Sequence, residues 1–337
     1  MKLLTKFFLL TTGFLSFFLG QINAQVDPHT SQYYVYPLNL NPAMVGTFDG
    51  DVRVGGAYRN QWANIVNPFI TQAISVEART NRNIQFGFNI LNQSSGGGGF
   101  NYYNTSFSLA YTGIQFGAEA EHHVTFGMQA GVIDRSVNPS KFQLGDQWNP
   151  ITGYNPGVTN DKFTVLRSSV LDIGAGLLYF NTSESSRFNP YLGFSAFHLN
   201  KPIDPFSQSG SNSGDIIPVR YVVHGGASMQ VAENMLFVPH FIHMKQGTAN
   251  NFVAGAFWQI DASDDAQVLM GANYRFKDAL IPYVGLRYNQ QVLAGVSYDA
   301  NVSSLKSLAG NANCFEFTLS YTYKSKNRAS YLKCPAL

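Results

Sequence analysis

Residues 315–323 alternate without a break between apolar and polar positions. Phe315, Phe317, Leu319, Tyr321 and Tyr323 fall on one side, and Glu316, Thr318, Ser320 and Thr322 on the other. Successive side chains of a strand point to opposite faces, so this stretch predicts a strand with one apolar and one polar wall. The same period recurs upstream. Tyr103, Thr105, Phe107, Leu109 and Tyr111 oppose Asn104, Ser106, Ser108 and Ala110, and Val124, Phe126, Met128, Ala130 and Val132 oppose Thr125, Gly127, Gln129 and Gly131. In 266–276 the pattern holds except at Leu269, and in 188–198 both faces carry apolar residues.

Alternation and turn residues together predict fourteen strands, at 51–61, 69–79, 84–92, 102–112, 122–133, 168–180, 188–198, 218–231, 235–245, 250–259, 266–276, 280–288, 290–299 and 313–323. Most are near the ~9–11 residues that a tilted membrane strand needs. The long connections 93–101, 134–167, 199–217 and 300–312 all follow odd-numbered strands, whereas 80–83, 232–234 and 289–290 are short and follow even-numbered ones. The stretch 113–121 is a longer even connection. Long loops on one side and short turns on the other are the habit of outer-membrane barrels, whose termini are usually periplasmic.

A soluble β-sandwich uses the same alternation. Its surface would carry more charge than the 12% found here, against a usual ~25%. A lipid-facing wall accounts for the deficit, and a closed barrel leaves no unpaired edge in the bilayer. The expected fold class is all-β: a transmembrane antiparallel β-barrel of about fourteen strands, with an irregular N-terminal segment.

The start of the chain reads as a signal peptide over 1–24, with Lys2 and Lys6 before the apolar run Phe7–Leu19 and a cut after Ala24. That run is too short to span a membrane as a helix. Residues 25–50 follow as a strap or plug segment, 51–323 as the barrel, and 324–337 as a periplasmic tail. Pro28, Pro37 and Pro42 exclude a central strand from the strap, while Tyr33, Tyr34, Tyr36, Leu38, Leu40 and Met44 make it too apolar for a solvated tail. It should pack inside the barrel or at its mouth.

Little else suggests chemistry. Removing the two signal lysines from 22 basic residues leaves 20 against 20 acidic, with no basic stripe for nucleic acid. Cys314 and Cys334 have no metal-ligand cluster around them, and whether they pair is open. Gly96–Gly99 lacks the Lys-Ser/Thr of a phosphate loop, and Asp261, Ser263, Asp264 and Asp265 lack the spacing of a calcium loop. His122 and His123 point to opposite faces, as do His240 and His243. His198 and His224 are expected in the lumen near Asp172 or Arg220, and Arg53, Arg59, Glu77, Arg79, Arg275, Arg287 and Glu316 are expected to line it, as a salt-bridge network or as the wall of a pore. A Ser/His/acid site could still be assembled from distant strands. No enzyme activity and no cofactor are expected.

The opening DPHTSQYYVYPLNLNPAMVG (27–46) and YRNQW (58–62) closely resemble the start of the PorP/SprF family of Bacteroidetes outer-membrane proteins. The likeness continues through GDQW (145–148), LDIGAGLLYF (171–180), FHLNKP (197–202), MGANYRFKDA (270–279), GVSYDANVSSL (295–305) and EFTLSYTYK (316–324), although the chain ends Ala336-Leu337. The resemblance implies an integral outer-membrane protein of a Gram-negative Bacteroidetes bacterium. It also implies a role in type IX secretion, in some members for gliding adhesins. The implied partners are a secreted cargo with a C-terminal sorting domain, translocon or periplasmic ring components, and membrane lipid. Candidate partner-binding residues are Asp27, Pro28, Ser31, Gln32, Tyr33, Asn41 and Pro42 in the strap, and Trp148, Tyr154 and Phe206 in the long loops. The alternative is a porin-like channel for small solutes.

Overall fold

The computed structural model describes residues 27–62, 67–155, 157, 166–204, 215–303, 313–325 and 334. The proposed signal peptide, Phe206 and most of the tail lie outside the described residues. Fourteen antiparallel strands close into a barrel. They are β1 (Val52–Gln61), β2 (Phe69–Ala78), β3 (Ile84–Ser95), β4 (Phe100–Phe116), β5 (His122–Val137), β6 (Arg167–Asn181) and β7 (Phe188–Phe197). The circuit continues with β8 (Arg220–Ala232), β9 (Met235–Gln246), β10 (Ala249–Asp261), β11 (Ala266–Arg275), β12 (Ala279–Tyr288), β13 (Val292–Asn301) and β14 (Cys314–Tyr323). Each strand pairs with its neighbour in sequence, and β14 closes on β1 in the register Val52↔Tyr323 to Gln61↔Cys314.

The alternation in β14 has the predicted sense: Phe315, Phe317, Leu319, Tyr321 and Tyr323 are exposed to the outside, whereas Glu316, Thr318 and Ser320 are buried inside. Two expectations change. The long even connection shrinks to residues 117–121, because β4 runs on to Phe116 past a register shift between Tyr111 and Ile114. Such a shift breaks the period of two, which is why the strand seemed to stop early. At the other end, β3 reaches Ser95 and β4 starts at Phe100, so 93–101 reduces to a tight turn around Gly96–Gly98. Gly96, Gly97 and Gly98 all have positive φ there. The remaining long connections, after β5, β7 and β13, emerge at one end, which the asymmetry of loops assigns to the cell exterior.

The core of the molecule is its own N-terminal segment. Tyr33, Tyr34, Leu40 and Met44 cluster with wall residues Ile242, Phe257, Leu269 and Leu293, and Tyr36 packs with Leu91, Tyr102 and Ile133. Leu38 and Val45 form a smaller cluster with Ala110. Leu269 therefore breaks the alternation for a reason: it faces a lumen that is apolar in this sector because plug tyrosines fill it.

Candidate functional site: the plugged lumen and outer loops

Residues 27–50 cross the whole lumen. The prolines shape this irregular segment: Pro37 and Pro42 each open a 3₁₀ turn, Pro37–Asn39 and Pro42–Met44. Proline suits a first helical position because its φ is preset and its missing N–H has no partner to lose. The Asn41 side chain accepts from the Ala43 N–H at 2.9 Å and donates to the Leu177 carbonyl at 3.0 Å, capping the second turn and tying it to β6.

Chain in this conformation leaves backbone groups without ladder partners, and buried ones must be satisfied elsewhere. Turns within the segment satisfy some, such as the Leu40 N–H on the Pro37 carbonyl at 2.9 Å, and the barrel wall satisfies others along its height. The Glu316 carboxylate accepts from the N–H groups of Ser31 and Gln32, both at 2.7 Å. Arg220 donates to the Asn39 carbonyl at 3.0 Å, Ser195 to Leu40 at 2.6 Å and Thr125 to Ala43 at 2.8 Å. Near the periplasmic end Glu77 accepts from the Gly46 N–H at 3.2 Å, and Arg79 donates to the Phe48 carbonyl at 3.1 Å. Gly127 lies directly against the Pro42–Ala43 peptide, so any side chain there would occupy plug backbone.

Two ionic clusters hold the outer half. In one, Arg59 pairs with Asp299 at 2.9 Å and Glu316 at 3.1 Å, and Arg275 pairs with Asp299 at 3.0 Å. The Ser31 hydroxyl sits among them, donating to Asp299 and accepting from both arginines. In the other, Asp27 contacts His198 Nε2 at 2.6 Å and Arg220 at 3.3 Å, while Asp172 contacts His198 Nδ1 at 2.7 Å. Arg220 also lies over the Phe197 ring, 4.3 Å from its centroid. Burial alone would raise the Asp27 carboxyl, but the charges of His198 and Arg220 outweigh it and hold the group well below the usual carboxylate range. Burial alone would depress His198, but the Asp27 charge and the hydrogen bonds with Asp172 and Asp27 push the imidazole up to about 9. Both groups are therefore charged at neutral pH, and each offsets the desolvation of the other.

The strap candidates Asp27, Pro28, Ser31, Gln32, Tyr33, Asn41 and Pro42 are all buried in the lumen and held by the wall. The lumen-lining residues Arg53 and Glu77 form a 2.6 Å ion pair, and the expected neighbours His198, Asp172 and Arg220 do meet, with Asp27 as their unforeseen fourth member. Cys314 and Cys334 lie at opposite ends of the barrel and are not joined by a disulfide. Cys314 begins β14 at the outer end, whereas the Cys334 N–H donates to Thr47 at 2.9 Å in the inner half of the plug.

Outside, Trp148 and Tyr154 face each other across a two-residue ribbon, their ring centroids 6.2 Å apart. Both are exposed, and Ile151 at the tip of the ribbon is 92% exposed. Sequence reasoning passed over Ile151, although an apolar residue flanked by Pro150 and Thr152-Gly153 is a turn-tip signal. Phe206 lies outside the described residues. At the periplasmic end a polar cavity of about 600 Å³ opens between the turns at 79–83 and 117–121, lined also by His123 and Thr182. No group of three or more potential metal ligands occurs among the described residues.

Among solved structures the chain is similar to the P. putida toluene transporter TodX, with TM-score 0.48 and 9% identity over 85% of this chain and 93% of that one. It is also similar to the CymD monoaromatic hydrocarbon channel (TM-score 0.47, 10% identity, 86% and 93%) and to the KdgM porin (0.39, 5%, 80% and 99%). No curated protein matches the chain. The sequence model of one family, described as type IX secretion system membrane protein PorP/SprF, matches residues 22–321. With that match over nearly the whole barrel and its plug, the chain belongs to the PorP/SprF family of type IX secretion system membrane proteins and is an integral β-barrel of the outer membrane.

Proposed function

We propose that this barrel serves type IX secretion as a closed docking protein: it binds or anchors a secreted surface protein at its outer loops and docks secretion machinery at its periplasmic rim, without enzyme activity. The observation that carries this reading is the lumen filled along its height by residues 27–50. A protein whose interior is occupied has its surfaces left for work, and exposed aromatics dominate the energetics of interfaces. Trp148, Ile151 and Tyr154 supply such a surface on the exterior loop. The cargo would be a protein with a C-terminal sorting domain, as the family implies. Affinity purification from native membranes tests the reading. A secreted protein or a machinery component should copurify, and the triple substitution Trp148→Ala, Ile151→Ala, Tyr154→Ala should lose the cargo while leaving the barrel folded. Recovery of the barrel alone from wild-type membranes would sink the proposal.

A further inference from the structure

The plug has a direction. Asp27 meets His198 and Arg220, which lie after the last residue of β7 and at the first residue of β8, at the end with the long loops. Ser31 meets Arg59, Arg275 and Asp299 near the same end. Asn41 and Ala43 lie further down, against Leu177 and Thr125, and Phe48 reaches Arg53 and Arg79 at the opposite end, just before β1 begins. The chain therefore enters the lumen from the outer mouth and leaves it at the periplasmic mouth. A strap that began in the periplasm would have to double back, with Asp27 at the same end as Phe48 and not beside His198 and Arg220.

We infer that the N-terminal side of Asp27 opens on the cell exterior, and that the plug is a strap joined covalently to the barrel only at its periplasmic end and latched outside by Asp27 and Ser31. This places the start of the plug, at Asp27, on the outer side of the membrane, although β1 starts and β14 ends on the periplasmic side. Any opening of the lumen would then begin at the outer latch, because the inner end continues directly into β1. The latch chemistry suits that role: one plug carboxylate is gripped by an imidazole and a guanidinium of the wall, with Asp172 orienting the imidazole from behind. The inference rests on the path of the segment alone and stands whether or not the outer loops bind cargo.

An epitope inserted between Val26 and Asp27 of the full-length chain tests it. Antibody should label this epitope on intact cells, whereas an epitope after Ser325 should need permeabilised outer membrane. An N-terminal epitope reached only after permeabilisation would overturn the inference. If the insertion blocks assembly, the pair Asp27→Cys and His198→Cys decides instead. A short bis-maleimide should cross-link it in the folded barrel, seen as a mobility shift on gels, and a folded barrel that fails to cross-link would overturn the inference. Latching predicts further that Asp27→Asn speeds labelling of Thr30→Cys by an impermeant maleimide on intact cells by roughly tenfold or more, because breaking one partner of a buried ion pair is costly. An unchanged rate would remove the latch from the account.

Discussion

His198 gives the plug a pH dependence with a definite sign. Its folded value is raised from 6.5 to about 9, so its contribution is complete below pH 6.5 and is lost as pH rises through about 9. Asp27 is depressed from 3.8, so its contribution is present above that value and fades only as pH falls through its lower folded value. Heat resistance, read as the temperature at which the folded band disappears on gels, should hold from about pH 4 to 8 and fall toward pH 10. His198→Gln should flatten the alkaline fall, which corresponds to on the order of 3 kcal/mol. Gly127→Val tests the opposite kind of contact, since it forces a side chain into the Pro42–Ala43 peptide. Overpacking typically costs about 1–3 kcal/mol, and a lower melting point with normal barrel insertion is expected. His198, Asp172 and Arg220 were legible as lumen neighbours because strand parity places them. Asp27 was not, because its partner lies 171 positions away and nothing beside it in sequence signals a buried pair.

Strands were the most legible elements, since lipid on one side and a mostly polar lumen on the other imposes period two wherever the strand is regular. The reading faltered where another constraint intervened. A register shift hid the last turn of β4, and the plug's tyrosines called for Leu269 on a wall that is otherwise polar. The strap could be read as packed but not as a full-height plug, because the bonds that fix its path, unlike those within its short turns, are to distant strands. Deleting residues 27–46 removes the plug side of all three core clusters but leaves the β1–β14 closure intact. The variant should insert as a barrel with a melting point well below wild type. Failure to form any barrel would mean that the segment is needed for closure itself.

As a whole the molecule is a barrel whose interior is a folded core, with ion pairs such as Arg59–Asp299 and Arg53–Glu77 buried where a pore would present them to water. Fourteen strands lie between the filled eight-strand barrels and the open sixteen-strand porins, so strand number alone permits a channel. The proposed reading is a closed barrel, because the plug fills the lumen. Family membership places the barrel in type IX secretion, and in the docking role proposed above its rims and loops are the working surfaces. Conductance of the purified protein in planar bilayers tests this closed-barrel account most directly. Wild-type protein should show no steady open current while the 27–46 deletion conducts, and steady open conductance from wild type would contradict the account.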